Sequence, residues 1–387
     1  MTMRLVSWKR WLGSTVVAGL LGGCSGTQFY GNPEYPRPAS QAPLDYFSVN
    51  WWASLSPPAT LEYGPRETAS PAYDPVSRTA IALTRDGYAR GVGPDGKVKW
   101  LYKTANRFNA GPRVVDGIAY VPGGDGVLYA LDAATGEEKW KYVAGEALAT
   151  VPVVSEGLVL VASESDTLFA VKVADGQWAW QYRRDPPTGF TVRGASRPLV
   201  REGVAYIGFS DGYVVALSAD DGGVTWERSL SGPGSEFLDV DSSPVMDANG
   251  QLYVTSYKSG IFALEADTGD VVWSTSVPGM TGLLISGQVL FATGDGRVDA
   301  YLAETGRLLW SHPLGERAAF APVFAKGMLL VPTSGSLLFL EPKTGRSRVA
   351  WNPGGGITAP PFVAGRQLFV LSNNGFLYSL DMNGIQG

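Results

Sequence analysis

Tryptophan recurs along this chain at nearly regular intervals of 37 to 47 residues. A glycine stands four residues before most of these tryptophans, as in Ala-Leu-Asp-Ala-Ala-Thr-Gly-Glu-Glu-Lys-Trp at 130–140. The repeat tryptophans are Trp100, Trp140, Trp180, Trp226, Trp273, Trp310 and Trp351, and the matching glycines are Gly96, Gly136, Gly176, Gly222, Gly269 and Gly306. A unit of about 40 residues is too short to bury its own hydrophobic faces, so successive units must pack against each other.

Two tryptophans depart from this series. Trp351 lies six residues after its Gly345, and we expect a longer turn or a β-bulge in that unit. Trp178 falls outside the spacing, and we expect it to be a surface aromatic residue. The repeat tryptophans themselves are expected to pack between neighbouring sheets. The alternative is an exposed row of tryptophans used for binding.

Residues 197–227 show how one unit is built. Apolar runs at 197–200, 204–208, 213–218 and 224–227 are separated by turns that contain glycine. Glycine permits the positive φ of tight hairpin turns. The composition agrees, because 49 glycines and only 17% charged residues suit strands and turns better than amphipathic helices. The sequence therefore predicts an all-β chain, a β-propeller of four-stranded antiparallel blades.

The number of blades follows from the two ends of the repeat region. Seven tryptophan-terminated units run from residue 70 to 351, and an eighth begins at residue 359 but stops before its own tryptophan strand. A strand of the missing kind lies at 47–53 and contains Trp51 and Trp52. We therefore predict an eight-bladed propeller whose ring is closed by this N-terminal strand, which removes two open sheet edges. Either tryptophan can complete the set of eight.

The first 24 residues have the features of an export signal. Three basic residues within the first ten precede an apolar run at 11–21, which is shorter than the roughly 20 residues needed to cross a bilayer as a helix. Leu-Gly-Gly-Cys at 21–24 then resembles the bacterial lipobox, in which the chain is cut before a cysteine that is lipidated. The alternatives are an uncleaved anchor, or an ordinary signal peptide with Cys24 present by chance.

These features predict three parts of the chain. Residues 1–23 form a signal peptide, residues 24–44 a lipidated and extended tether, and residues 45–387 the propeller. Acyl chains such as palmitate on Cys24 would hold the protein on a membrane surface. Ser25, where retained lipoproteins have aspartate, resembles the pattern that directs lipoproteins to the outer membrane. This resemblance implies an anchor at the periplasmic face of that membrane.

The scarcity of cysteine and histidine excludes several kinds of site. The chain has one cysteine, Cys24, and one histidine, His312, so it cannot form a Cys/His zinc site or an intramolecular disulfide. A catalytic triad would have to use His312, which we expect to be structural or on the surface. The net charge of −5 offers no basic footprint for nucleic acid. We therefore predict no catalytic residue, no metal site and no cofactor.

The Asp-x-x-Thr-Gly-x-x-x-Trp pattern at 132–140 is similar to the tryptophan-docking repeat of eight-bladed quinoproteins of the PQQ type. Combined with the lipobox, it resembles the BamB family, the lipoprotein subunits of the outer-membrane β-barrel assembly machine. The segments 143–148, 152–160, 192–194 and 238–244 carry further likeness to that family. The resemblance implies a non-catalytic periplasmic scaffold that binds the POTRA domains of BamA and other subunits, and that assists insertion of outer-membrane β-barrel proteins.

Two connections between units, after Trp180 and Trp226, are longer than most by about six residues. Each joins the last strand of one blade to the first strand of the next, so both lie on one face of neighbouring blades, where long loops commonly bind partners. From the family resemblance, the partner-binding residues are Phe190, Val192, Arg193, Asp239 and Asp241. In the structural alternative, the two aspartates bond to backbone amides, or pair with Arg193 and brace two blades.

Other functions stay open. A PQQ-dependent dehydrogenase is disfavoured, because the alcohol-oxidising members commonly have an adjacent cysteine pair near the cofactor and this chain has a single cysteine. A general envelope propeller lipoprotein with another partner is the second alternative. Within the scaffold interpretation, the protein either positions the periplasmic arms of the assembly machine or presents a strand edge to unfolded barrel proteins.

Overall fold

The computed structural model describes residues 46–56, 66–185, 195–231, 239–240 and 242–383. The signal segment and the predicted lipidation site at Cys24 lie outside these ranges. Within them, all helix and strand structure is β, arranged as eight antiparallel sheets. Eight hydrophobic clusters join each sheet to the next along the chain and the last sheet to the first, which confirms the predicted eight-bladed propeller.

Each blade is a meander whose first strand is short and innermost and whose last strand is outermost. The strands are, for blade 1, β2 Ala72–Asp74, β3 Thr79–Thr84, β4 Tyr88–Val92 and β5 Val98–Lys103; for blade 2, β6 Arg113–Val115, β7 Ile118–Pro122, β8 Val127–Asp132 and β9 Glu138–Val143; for blade 3, β10 Val153–Ser155, β11 Leu158–Ala162, β12 Thr167–Lys172 and β13 Trp178–Arg183; and for blade 4, β14 Leu199–Arg201, β15 Val204–Gly208, β16 Tyr213–Ser218 and β17 Val224–Ser229.

The second half of the ring repeats this layout. Its strands are, for blade 5, β18 Val245–Met246, β19 Gln251–Ser256, β20 Gly260–Glu265 and β21 Val271–Thr275; for blade 6, β22 Met280–Ser286, β23 Val289–Leu302 and β24 Arg307–Ala318; for blade 7, β25 Val323–Ala325, β26 Met328–Pro332, β27 Leu337–Leu340 and β28 Ser347–Trp351; and for blade 8, β29 Phe362–Ala364, β30 Gln367–Leu371, β31 Phe376–Met382 and β1 Phe47–Ser54. In blade 6, β23 serves as both middle strands, since its first part pairs with β22 and its second part with β24.

The N-terminal strand closes the ring. β1 pairs antiparallel with β31 from Phe47 opposite Met382 to Ser54 opposite Phe376. It thereby becomes the outermost strand of a blade whose other three strands come from the C-terminal end of the repeat region. The prediction of closure by this strand is confirmed.

The middle strands hold the core because blades pack face to face. β11 is an unbroken apolar run, Leu-Val-Leu-Val-Ala, and all five residues are buried. A strand covered by a neighbouring sheet on both sides needs no polar alternation, and each buried Val or Leu side chain contributes about 1.5–3 kcal/mol. The outer strand β9 instead alternates exposed and half-buried positions. Each hydrophobic cluster therefore spans two adjacent blades, as between β11 and β15.

The repeat tryptophans connect each blade to the next. In blade 1, the Trp100 ring lies against Gly136, in the last hairpin turn of blade 2, and its indole N–H donates to the Ala133 carbonyl at 3.1 Å. A Cβ on Gly136 would lie 2.6 Å from the ring, and the backbone there has φ +75°, so the position needs glycine on two grounds. The same bond recurs from Trp140 to Val173, Trp180 to Ala219, Trp226 to Ala266, Trp273 to Ala303 and Trp310 to Pro342.

Trp51 occupies the corresponding position in blade 8. It pairs with Ser379 directly after a bulge, as Trp140 pairs with Ala130 in blade 2. Its ring lies against Gly96 in the last turn of blade 1. Trp52 instead has its ring 5.8 Å from that of Phe376. The ring-closing tryptophan is therefore Trp51.

Blade 7 differs from the other blades in side chain rather than in backbone. Its last hairpin has the same turn length and the same bulge position as blade 2, so Val349 stands where the repeat has tryptophan. Trp351 lies two residues further along β28, where it is 2% exposed and packs against Phe47 and Tyr378. The expected longer turn is absent, and the six-residue spacing reflects this shifted tryptophan.

Candidate partner-binding face

The two long connections join β13 to β14 and β17 to β18, on the same face of blades 3, 4 and 5. Phe190, Val192, Arg193 and Asp241 lie outside the described residues, and Asp239 lies within them. The described residues that flank these connections therefore define how the face is held. We call them the loop anchors: Arg184, Ser196, Asp239 and Val240.

Asp239 and Val240 are inserted between blades 4 and 5. Both are fully buried. The Val240 N–H donates to the Phe209 carbonyl at 3.1 Å, and the Tyr257 N–H donates to the Asp239 carbonyl at 3.2 Å. Val240 packs directly on Gly208, where a Cβ would come within 2.4 Å of the valine side chain. These backbone contacts join blades 4 and 5 at Asp239. The structural roles that the sequence left open for its side chain, a bond to a backbone amide or a pair with Arg193, stay predictions.

Arg184 fixes the start of the first connection. Its guanidinium donates to Asp211 at 2.5 Å and to Glu227 at 2.8 Å, and it lies 4.2 Å over the ring of Tyr213. Burial lowers the pKa of Arg184, but the bonds to these two carboxylates outweigh it and hold the pKa above its ordinary value. A guanidinium shared by two carboxylates and an aromatic ring is a strong anchor. It ties the end of blade 3 to blade 4.

A second link joins the adjacent turns of the same two blades. Asp166 accepts hydrogen bonds from the Ser210 N–H at 3.1 Å and from the Ser210 hydroxyl. Its own carbonyl accepts the Arg184 N–H at 3.1 Å. Burial raises the pKa of the Asp166 carboxyl, and the bonds from Ser210 oppose that shift. The first connection therefore starts from a rigid base.

The far end of the first connection is held in the same way. The Ser196 hydroxyl donates to the Ser242 carbonyl at 3.0 Å and accepts the Gly208 N–H at 3.1 Å. One serine thus joins the ends of both connections to the middle strand of blade 4. The loops emerge from a fixed frame, which lowers the entropy lost when a loop binds a partner.

Arg197 is a half-buried arginine that stands directly before the innermost strand of blade 4. Its Nε is buried and has no hydrogen-bond acceptor within the described part of the chain. Burial lowers the pKa of Arg197, and the like charge of Arg113 lowers it further. Arg113 belongs to the innermost strand of blade 2 and is exposed. Arg197 stands directly before the innermost strand of blade 4, so the two like charges belong to blades that are not neighbours.

Neither arginine forms an ion pair with the residues that the structure describes, so both add uncompensated positive charge to the inner part of blades 2 and 4. Sequence analysis missed both this pair and the Arg184 anchor. The position of Arg197 in the repeat could have identified it from sequence. It directly precedes the proline at the start of an innermost strand, where Gly111, Val151, Ser243 and Ala321 stand in other blades.

The described residues have neither a metal-binding cluster nor a membrane-spanning helix. They contain no group of three or more His, Cys, Asp or Glu side chains arranged to hold a metal ion. None of their segments forms a helix with the length and apolar character to cross a membrane.

Comparison with known proteins gives one family. The family model described as outer membrane protein assembly factor BamB matches residues 85–295 and 294–386. Proteins of that name from Legionella pneumophila and Escherichia coli K12 are 28% and 30% identical over 200 and 199 residues. These matches cover 50% and 49% of the chain, and the chain spans about half the length of each relative, 52% and 50%.

Solved structures match over more of the chain. The crystal structure of BamB from Moraxella catarrhalis has a TM-score of 0.75 at 24% identity, covering 87% of this chain and 99% of that one. A quinohemoprotein alcohol dehydrogenase from Comamonas testosteroni has a TM-score of 0.68 at 15% identity, covering 89% and 78%. At these identities the structural likeness shows the fold alone, which an assembly factor and a dehydrogenase share.

Proposed function

The chain belongs to the BamB family of outer membrane protein assembly factors, and on that premise we propose that it is a non-catalytic scaffold of the β-barrel assembly machine. In this role it binds the POTRA domains of BamA and assists insertion of outer-membrane β-barrel proteins. The observation that carries the proposal is the family match over most of the propeller. The long connections of blades 3 to 5 support it, because the described residues at their ends are fixed by hydrogen bonds between blades.

The binding residues that we propose are Phe190, Val192 and Arg193 in the first connection and Asp241 in the second. Asp239 has a different role in this proposal. Because it is fully buried at the junction of blades 4 and 5, it positions the second connection instead of contacting the partner. The unpaired Arg113 and Arg197 add attraction for acidic side chains on the docked domain.

We further propose that the propeller is held at the periplasmic face of the outer membrane by acyl chains on Cys24, through the tether at 24–44. A lipidated cysteine anchors a domain without a membrane-spanning segment. Cys24→Ser should move the protein from the membrane to the soluble fraction. If it remained in the membrane fraction, the lipid anchor would be rejected.

Co-purification from the native envelope tests the proposed function. The lipidated protein is isolated under mild conditions and the bound chains are identified by mass spectrometry. We expect BamA and other assembly-machine subunits among them. Recovery of a different envelope complex, with no BamA, would favour the general propeller lipoprotein instead. Titration of the purified propeller with PQQ and Ca²⁺ tests the dehydrogenase alternative, for which we expect no saturable binding.

A further inference from the structure

The interface between blades 8 and 1 is built differently from six others in the ring. In those six, the indole N–H donates to the carbonyl of a small apolar residue in the next blade's last turn, such as Ala133. The turn of blade 2 spans five residues, with the Gly136 N–H bonded to the Asp132 carbonyl. In blade 1 the Gly96 N–H bonds to the Gly93 carbonyl, so this turn is one residue shorter.

The shorter turn leaves both a cavity and an unused donor. A cavity of about 190 Å³ opens beside Trp51 at this interface. Trp51 makes no hydrogen bond through its indole with any part of the chain that the structure describes, and its N–H is not among the buried unpartnered atoms. The donor that is paired in the six other interfaces is therefore open to solvent here. We call this cavity the seam pocket.

The walls of the seam pocket are aromatic and its rim is polar. Phe369 stacks on Tyr73 with ring centroids 4.8 Å apart, and its ring lies 6.1 Å from that of Trp51. Asn50, Gln367 and Arg78 form the rim. Arg78 is exposed and forms no ion pair with the described residues. Its guanidinium therefore lies unpaired beside an apolar cavity that contains one N–H donor.

We propose that the seam pocket binds a polypeptide partner by taking in one small apolar residue, with an acidic side chain next to it. The bound residue supplies the carbonyl that accepts the Trp51 N–H, as Ala133 does for Trp100. The six internal copies define this chemistry, because the acceptor residues are Ala133, Val173, Ala219, Ala266, Ala303 and Pro342. The adjacent acidic side chain pairs with Arg78.

The proposal is independent of the face proposed for BamA. The seam pocket lies between blades 8 and 1, across the ring from blade 4. It also lies on the other face, because turns that precede last strands and connections that follow them are at opposite ends of a strand. An experiment that rejects one of the two proposed sites therefore does not bear on the other.

The test uses the full chain labelled with ¹⁵N at its tryptophan indoles, and the hexapeptide Asp-Ala-Ala-Thr-Gly-Glu, which copies residues 132–137. Trp51→Phe identifies the Trp51 resonance. We expect peptide addition to shift the Trp51 indole N–H and leave the six paired indoles unchanged. A Kd of about 1 mM is reasonable for a flexible peptide that loses conformational freedom on binding.

Three variants make the outcome decisive. Trp51→Phe should weaken binding about fivefold, since one hydrogen bond is lost. Because this variant lacks the reporting indole, its affinity is measured with a fluorescently labelled peptide. Arg78→Gln should reduce the affinity and its dependence on salt. One alanine inserted after Gly93 restores the five-residue turn, and should remove binding while leaving the propeller folded.

Contrary results are equally clear. The proposal is overturned if the peptide shifts several indoles equally, if the insertion variant still binds, or if no shift occurs at millimolar peptide. It is also overturned if the Trp51 N–H is already protected from exchange in the full chain and becomes exposed when residues 24–44 are removed. In that case the chain's own tether occupies the pocket.

Discussion

A glycine and a tryptophan act as one unit at seven of the eight blade junctions. The Trp180 ring covers Gly222 so closely that a Cβ would lie 2.6 Å from it, and the backbone there has φ +75°. Gly203 has nearly the same conformation, φ +76°, but nothing lies within 4 Å of its Cβ position. The pair separates the steric role of a turn glycine from its conformational role.

Gly222→Ala should lower the free energy of unfolding by about 3 kcal/mol, because it adds a steric clash to an unfavourable backbone conformation. Gly203→Ala should cost about 1 kcal/mol, since only the conformational term applies. Chemical denaturation of both variants measures the difference. Equal losses would show that the contact between ring and glycine does not stabilise the junction.

A single residue, Glu67, also makes the folding stability of the propeller depend on pH. Burial raises the pKa of this carboxyl to about 7, and the negative charge of Asp86 adds to the rise. The backbone N–H and the guanidinium charge of Arg85, together with the Ser56 hydroxyl, oppose the rise. The folded state therefore holds a proton that the unfolded chain releases near pH 4.5. The stability that the bound proton gives to the folded state is fully present below pH 4.5 and is lost as the pH rises through about 7.

Glu67→Gln should remove that dependence. At pH 8 the variant is expected to be more stable than the natural chain by about 2 kcal/mol, because no charge is buried. Between pH 5 and 8 its unfolding free energy should stay nearly constant. Glu202→Gln, on an exposed side chain, is the control and should leave the profile unchanged. A Glu67→Gln profile that follows that of the natural chain would contradict this role.

At the scale of elements, the end of blade 3 has two adjacent arginines, of which one is largely buried and the other is on the surface. Arg184 is 16% exposed and contacts two carboxylates, whereas Arg183 is 52% exposed and pairs with Glu146 alone. Arg184→Met should cost about 2 kcal/mol of stability and leave Asp211 and Glu227 facing each other. Arg183→Met should cost less than about 0.5 kcal/mol. Thermal unfolding of the two variants compares them, and similar melting temperatures would rule out Arg184 as an anchor.

Strand β1 is the element on which the ring depends. Deletion of residues 47–54 removes the outer strand of blade 8, together with Phe47 from a core shared with Phe339 and Trp351. We expect the whole propeller to melt at a lower temperature in one transition, since blades 7, 8 and 1 lose packing together. An unchanged melting curve would mean that closure by β1 does not stabilise the ring.

The strands and turns were largely predictable from sequence because regular spacing within each repeat unit marks where they lie. A glycine and a tryptophan at fixed spacing locate the last turn and strand of a blade, and the N-terminal position of Trp51 identifies the closing strand. The choice between Trp51 and Trp52 needed the pairing register, since a shift of one residue reverses the face of a strand. Trp351 misled the spacing argument because Val349 holds the repeat position.

The candidate site was less predictable for a physical reason. Arg113 and Arg197 are 84 residues apart in sequence and belong to blades that are not neighbours, so no local sequence pattern relates their charges. Arg184 depends on carboxylates from two different strands of the next blade. Long-range juxtapositions of this kind leave no local pattern. Local spacing did locate the two long connections, since each interrupts the tryptophan period.

At the scale of the whole molecule, the propeller presents distinct surfaces on a rigid ring. The long connections lie on blades 3 to 5, Arg113 and Arg197 lie at the innermost strands of blades 2 and 4, and the seam pocket lies across the ring. A ring closed by eight packed junctions keeps these surfaces at fixed distances from each other. Such a molecule suits the task of holding other domains in register, which is the role that we propose for it.

Direct binding to the purified POTRA domains of BamA tests the central claim most directly. The affinity is measured for the natural chain, for Arg193→Ala combined with Asp241→Ala, and for Arg366→Ala combined with Asp381→Ala, which removes a surface ion pair of blade 8. We predict saturable binding that the first double variant weakens at least about tenfold and the second leaves within about twofold. No binding by the natural chain, or equal affinities for the two double variants, would contradict the account.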